Sequence, residues 1–494
     1  MKNPIAMTEQ GTFHQPYATL PQHFYTVVQP EPLLSGELIL TNERLRQQLQ
    51  LPVDDKRLKA LVCGEAGLPN CEPLAQKYTG HQFGFYNPQL GDGRGVLLGE
   101  WVDPQGAAWD LHLKGAGRTP YSRQGDGRSV LRSSIREFLV SEALTGLGIP
   151  STRALALACS NEAVYREQVE PRATLIRVAK THIRFGHFQW AASQGEADFK
   201  QLLSYVVQHH FPDWQNFPVA QQAQKVLAAI CRATGEMIAH WQAVGFNHGV
   251  MNTDNMSILG ETFDFGPFAF LDDFQLDFVC NLSDTYGRYA FNEQPKVGLW
   301  NCQILAKSFH ALLEESEQDL AVDAYIQAYN QHYLRLMRQK LGWTVAAEAD
   351  KAEVDAQDKQ LIAELLKRLD QSRVDGLNFW LKLQTWAEAP TEKYRQDLES
   401  LFSQPKLIQP WLQAYQERLQ QGADIAQMKR VNPQFILRNS IAHSVISAAE
   451  QGDFSPLKQW LEILQSPFIE RPEMVSAQAS PEGSQRGIRL SCSS

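Results

Sequence analysis

His248-Gly249-Val250-Met251-Asn252-Thr253-Asp254-Asn255 is followed by Asp264-Phe265-Gly266. In an active protein kinase, a His-x-Asp loop supplies the base that takes the substrate hydroxyl proton. A later Asn of that loop and the Asp of Asp-Phe-Gly then hold Mg²⁺. Asn255 and Asp264 fit the two metal-holding positions as hard oxygen donors. Val250 stands where the aspartate belongs, so the metal ligands are kept while the kinase base is lost.

Working upstream, Gly91-Asp92-Gly93-Arg94-Gly95 runs into the apolar Val96–Val102, then a turn at Asp103-Pro104-Gln105-Gly106, then an alternating stretch ending at Lys114. That pattern predicts a β-hairpin. A glycine loop between two strands lets backbone N–H groups close over phosphates, whereas a dinucleotide-binding loop opens into a helix; a plain turn is the other reading. Leu111 and Leu113 alternate with Lys114, which places the lysine opposite the core. A helix is predicted through Ile135, Phe138, Leu139 and Ala143, with Glu137 in its first turn. Glu137 pairs with Lys114, as the corresponding residues do in kinases, or closes a capping box with Ser134.

Arginines punctuate the next stretch at 118, 123, 128, 132 and 136, and recur at 177 and 184. Their planar forks suit polyphosphate oxygens, while internal salt bridges are the plainer reading and the preferred one for Arg132 and Arg136. Arg177 sits within an apolar strand, Ala173–Lys180, and needs an anionic partner there, either a phosphate or an internal carboxylate. Residues 197–245 and 295–465 read as helical, with a loop and two short strands around Gly260-Glu261 between them.

The chain has 494 residues, 43% of them hydrophobic, and a formal charge of -9. This supports a substantial core and gives no general attraction to nucleic acid or anionic membrane, so neither is expected as a partner. The first residues show no signal-peptide core and no stretch is apolar enough to span a bilayer; a cytoplasmic monomer is expected. The seven cysteines are scattered without a C-x-x-C, which argues against a disulfide scaffold or a zinc site.

The blocks GDGRGVLLGEW, LHLKGAGRTPYSRQGDGRSVLRSSIREFL, LIRVAKTHIRFGHF and GVMNTDNMSILGETFDFGPFAFLDDF closely resemble the selenoprotein O family, strongly over about residues 75–300, and Cys492 falls where some relatives carry selenocysteine. The resemblance implies an α+β, two-lobed, protein-kinase-like fold that binds ATP in a flipped orientation and transfers AMP to hydroxyl groups of protein substrates. It implies nucleotide contacts from Gly91, Gly93, Arg94, Lys114, Asp126, Gly127, Arg177, Arg184 and Asp264. Glu137 would orient Lys114, Asn255 and Asp264 would hold Mg²⁺ or Mn²⁺, and Asp254 would accept the proton. A reversible disulfide between Cys280 and Cys492 is also implied; without the resemblance Cys280 reads as a plain buried thiol.

The expected organisation is an N-terminal extension (1–78), a kinase-like N-lobe (79–192), a helical C-lobe (193–335), a C-terminal helical region (336–470) and a flexible tail (471–494). Three functions remain open: AMP transfer, phosphate or uridylyl transfer on the same fold, and a silent nucleotide-binding scaffold.

Overall fold

The computed structural model describes residues 11–346 and 350–490. Ten strands form one antiparallel sheet: β1 (Thr12–His14), β2 (Tyr25–Val27), β3 (Glu37–Thr41), β4 (Leu74–Gln82), β5 (Phe85–Gly91), β6 (Gly95–Val102), β7 (Ala108–Lys114), β8 (Ser129–Val130), β9 (Arg153–Tyr165) and β10 (Val169–Ala179). Its main path runs β2-β4-β6-β7-β10-β9-β3, with β1 on β6, β5 on β4 and β8 on β10.

The expected hairpin is β6–β7, pairing Gly95 with Lys114 and Trp101 with Trp109. Asp103 Oδ1 closes its turn by accepting from the backbone N–H groups of Gln105 (3.0 Å) and Ala107 (2.8 Å). β10 lies against the other edge of β7, with Arg177 opposite His112. Alternation divides the two faces. Val96, Leu98, Leu111, Leu113, Ile176 and Val178 are buried against Leu45 of α1 (Glu43–Gln48) and Leu58 and Leu61 of α2 (Asp55–Val62). Each such side chain stabilises the fold by about 1.5–3 kcal/mol. Residues 11–78 thus build strands and a covering layer for the sheet that carries Lys114.

The opposite face, bearing Lys114 and Arg177, meets α3 (Leu131–Gly146), which begins earlier than its apolar spacing predicts. Glu137 therefore lies in the second turn, and Val130 is the N-cap without a side-chain capping bond, so the capping-box reading does not hold. Downstream come α4 (Phe185–Gln194), α5 (Glu196–His210) and α6 (Val219–Val244). The pair of strands expected at Gly260-Glu261 is instead β11 (Phe246–Asn247) with β12 (Ala269–Phe270). The stretch near Gly260 bonds elsewhere, Thr262 N–H donating to Pro150 O and Thr152 N–H to Thr262 O.

The remaining helices are α7 (Gln294–Lys307), α8 (Glu315–Leu341), α9 (Lys351–Ser372), α10 (Gly376–Glu388), α11 (Glu392–Glu399), α12 (Gln409–Gln420), α13 (Ile425–Val431), α14 (Asn439–Glu450) and α15 (Ser455–Leu464). The end of α8 and helices α9–α13 share a separate core around Leu365, Phe379, Trp411 and Tyr415. By contrast α14 and α15 return to the main core, where α3 lies. In the segment whose composition suggests a flexible tail, Gln478 and Ser480 bond to Gln434 and Asp375, and residues 486–490 run along residues 272–282. Gly487 N–H donates to Asp272, and Leu490 N–H donates to Cys280 O at 2.9 Å. Among the described residues no helix is long and apolar enough to cross a membrane.

Candidate functional site

A cavity of about 870 Å³ opens between the sheet and the loops that follow α6. Of the residues singled out in the sequence, Gly91, Gly93, Arg94, Lys114, Asp126, Gly127, Arg177, Arg184, Asp254, Asn255 and Asp264 line it. Glu137 stands behind them. Cys280 is buried outside the cavity, and Cys492 lies outside the described residues.

The deep wall is a chain of opposite charges. Lys114 Nζ donates to Glu137 Oε2, Arg177 donates to Glu137 Oε1 (2.7 Å) and to Asp264 Oδ1 (2.9 Å), and Arg184 donates to Asp264 Oδ2. The partner that Arg177 required is thus an internal carboxylate, in fact two. Burial would raise the Glu137 carboxyl, but Arg177 and Lys114 outweigh it and bring it to about 2. Asp264 is likewise held well below the usual carboxylate range by Arg184, Arg177 and Lys114 against its burial. Lys114 is lowered to about 8, because its desolvation exceeds the pull of Glu137. Asp264 itself adopts φ 60, a left-handed conformation sparsely populated by residues with a side chain, and its carbonyl accepts from Gly266 N–H at 2.9 Å.

The loop at 248–255 is fastened from below. Phe263 O accepts from His248 Nε2 (3.0 Å), and Val250 N–H donates to His248 Nδ1 (3.3 Å), a pattern that requires the neutral ring with its proton on Nε2. Asn255 Nδ2 donates to Val250 O (3.0 Å), which directs the amide end of Asn255 within the loop. Asp254 is 7% exposed, its Oδ2 accepts from Gln82 Nε2 (3.0 Å), and its Oδ1 has no hydrogen-bond partner among the described residues. Burial raises this carboxyl to about 6, with Gln82 and Arg184 opposing. The close approach of β4 depends on Gly80, where a Cβ would sit 2.8 Å from Asp254 Oδ1.

The roof is the glycine loop and the segment 117–128. Asp92, unremarked in the sequence, anchors it: Oδ2 accepts from Gln76 N–H (3.0 Å), Oδ1 from the Tyr78 hydroxyl (3.3 Å), and the Thr119 hydroxyl donates to Asp92 O (2.6 Å). An acidic residue between two glycines was the available signal. Asp126 is occupied by Arg166 through two 2.9 Å bonds, and Gly127 (φ 68) packs so closely that a Cβ would meet Gly117 O at 2.0 Å. Arg128 pairs with Glu31 and Arg132 with Glu170, whereas Arg94, Arg118 and Arg123 make no hydrogen bond or ion pair among the described residues and are exposed. Arg136 departs from the salt-bridge reading. It is buried without a carboxylate, bonded to Phe268 O (3.3 Å) and Asn439, its guanidinium over the Phe268 ring, and burial lowers it to about 9.

Arranged this way, the cavity offers unpaired cations near the mouth, a compensated cluster at depth, and a solvent-poor carboxylate beside it. Asp264 is kept ionised and each of its oxygens retains acceptor capacity, while Asn255 Oδ1 accepts no hydrogen bond among the described residues. This donor set fits a hard divalent cation.

A family model described as protein adenylyltransferase SelO matches residues 8–465. The chain is 51% identical over 488 residues to a protein nucleotidyltransferase YdiU of Hydrogenovibrio crunogenus, covering 97% of this chain and 99% of that one. It is 44% identical over 495 residues to the YdiU protein of Vibrio cholerae (97% and 98% covered). To that of Myxococcus xanthus it is 42% identical over 501 residues (99% and 100% covered).

Proposed function

This chain belongs to the protein adenylyltransferase SelO family, and from that premise and the cleft we propose that it transfers AMP from ATP to Ser, Thr or Tyr hydroxyls of acceptor proteins, releasing pyrophosphate. The observation that carries the reading is the placement of Asp254, beside the vacated kinase position at Val250 and in the same cavity as Lys114, Arg177 and Arg184. In this reading the division is kinase-like and two-lobed, with ATP reversed so that its distal phosphates reach Lys114.

In this account Arg94, Arg118 and Arg123 draw the polyphosphate in, and Lys114, positioned by Glu137, neutralises the departing pyrophosphate. The acceptor hydroxyl oxygen forms a bond to the α-phosphorus as the bond from that phosphorus to the bridging oxygen breaks. The hydroxyl proton passes to Asp254, which Gln82 orients. Asn255 and Asp264 would hold Mg²⁺ or Mn²⁺, which supplies positive charge to the phosphate oxygens when bound. Asp254→Asn should abolish transfer while ATP binding persists. Full transfer by that variant would remove Asp254 from the chemistry.

The redox reading rests on the tail. Leu490 is bridged to Asn281, beside Cys280; Cys492 itself lies outside the described residues. Joining Cys280 and Cys492 would release two protons and two electrons to a thiol-disulfide oxidant. Burial pushes the Cys280 thiol up and Arg136 opposes it. Equal activity of wild type and Cys492→Ser under oxidised and reduced glutathione would rule the switch out.

A further inference from the structure

β4 and β5 are joined by Phe83 (φ 51) and Gly84 (φ 89), a two-residue turn suited to the twist of an antiparallel pair. Left-handed backbone is strained for phenylalanine. The loop at 252–254 holds it there: Phe83 N–H donates to Asn252 Oδ1 (3.1 Å) and to the Tyr289 hydroxyl (3.0 Å). His81 N–H donates to Thr253 Oγ1 (2.7 Å), and Gln82 holds Asp254. Hairpin tip and proton acceptor are therefore one fastened unit.

Gln82 pairs directly with Phe85, and His81 with Tyr86. Opposed residues of an antiparallel pair share a face, with Cβ atoms about 4.5–5.5 Å apart. Phe85 thus stands next to the side chain that holds Asp254, yet it is 79% exposed, and Tyr86 is 46% exposed. On the other face, the Tyr86 ring lies 5.1 Å from His81, which lies 5.5 Å from Trp300, itself beneath the Arg288 guanidinium at 4.5 Å. His81 and Trp300 are half-buried, so the exposed aromatics are Phe85 and Tyr86, one on each face; such a ring at the edge of a cleft contributes little to the chain's own packing and much to recognition. Among the described residues β5 pairs with β4 alone; Pro88 has no N–H and Gln89 N–H donates to Asn87 Oδ1 (3.0 Å), so the stretch open to an extended chain is Phe85–Asn87.

Resting on the transferase reading above, we infer that the tip of β4–β5 is the docking element for the acceptor protein. An extended acceptor segment lies along β5 with an aliphatic or aromatic side chain on Phe85, which brings a neighbouring hydroxyl to Asp254. Position favours this occupant over a second copy or a membrane surface: Gln82, Phe83 and Leu90 wall the cavity that holds Asp254, so a segment on the hairpin lies at the cleft's edge, within reach of the proton acceptor.

The test uses two synthetic peptides that share a central Thr, one flanked by Leu and Phe, the other by Gly and Ser. They are assayed with the full-length wild type, Phe85→Ala and Phe85→Leu, alongside the release of AMP from ATP to water. Wild type should modify the apolar-flanked peptide with about tenfold higher kcat/KM. Phe85→Ala should lose that preference through peptide KM, Phe85→Leu should restore most of it, and the ATP KM and the water reaction should stay unchanged in both. Preference retained in Phe85→Ala, absent in wild type, or lost together with the water reaction overturns the docking role. Wild type that modifies neither peptide nor any intact acceptor protein contradicts the transferase reading itself.

Discussion

Two sets of arginines face the same cavity under opposite conditions. Arg177 and Arg184 are buried, and each is bound to Asp264, with Arg177 bound to Glu137 as well. Arg94, Arg118 and Arg123 are exposed and have no such partner among the described residues. Three cations at depth, counting Lys114, meet three carboxylates, since Asp92 joins Glu137 and Asp264 through a 3.9 Å contact with Arg184, so the cluster is internally compensated. The difference teaches that a cationic sequence motif mixes two functions. The buried pair sets the geometry and ionisation of Asp264 and Glu137, while the rim supplies charge that a polyphosphate can take up without first displacing an internal partner.

The sharpest way to break that contrast is to remove a carboxylate at depth. Asp264→Ala should abolish divalent-cation-dependent transfer and cost about 3 kcal/mol of stability, since it leaves the buried Arg184 with only its 3.9 Å contact to Asp92 and Arg177 with Glu137 alone. Denaturant titration and the transfer assay read the two effects, and full activity would move the metal and the pivot of the cluster elsewhere. Glu137→Gln should cost a similar amount, about 3 kcal/mol, with a fall in kcat because Lys114 loses its anchor; an unchanged denaturation midpoint would mean that the pair is not structural. At the rim the pattern should invert. Arg118→Ala with Arg123→Ala should raise the ATP KM about tenfold with no change in thermal midpoint. A stability loss there would show that the rim arginines are internally paired after all. Smallest of all, raising salt should increase the wild-type ATP KM about twofold and affect the rim double variant less, because exposed charges are screened and buried ones are not.

Much of this was legible in the chain because chemistry-bearing residues keep their order. Lys114 at a strand end, Glu137 on a helix, Val250 in place of an aspartate, and Asp264 in Asp-Phe-Gly could each be located from pattern, and the structure gathers them or, for Glu137, sets it directly behind. What pattern could not supply was partnership. Arg177 reads equally well as a phosphate ligand or a salt-bridge member, and only the fold brings Glu137 and Asp264 to it from distant segments. Asp126 similarly resembles a free cleft residue until Arg166 is seen to hold it. Short strands such as β1 and β2 have too few alternating positions to announce themselves. The bonds of Thr262 to Pro150 and Thr152 are long-range choices that local propensity does not encode.

The central claim is that a cleft lacking the kinase base at Val250 transfers the α-phosphoryl end of ATP by way of Asp254. Intact-mass analysis of an acceptor protein incubated with ATP, a divalent cation and the full-length enzyme tests it most directly. A mass gain of one adenylyl group per modified hydroxyl, absent with Asp254→Asn, is the predicted result. A gain of one phosphoryl group, or an adenylyl gain that persists in Asp254→Asn, would contradict it.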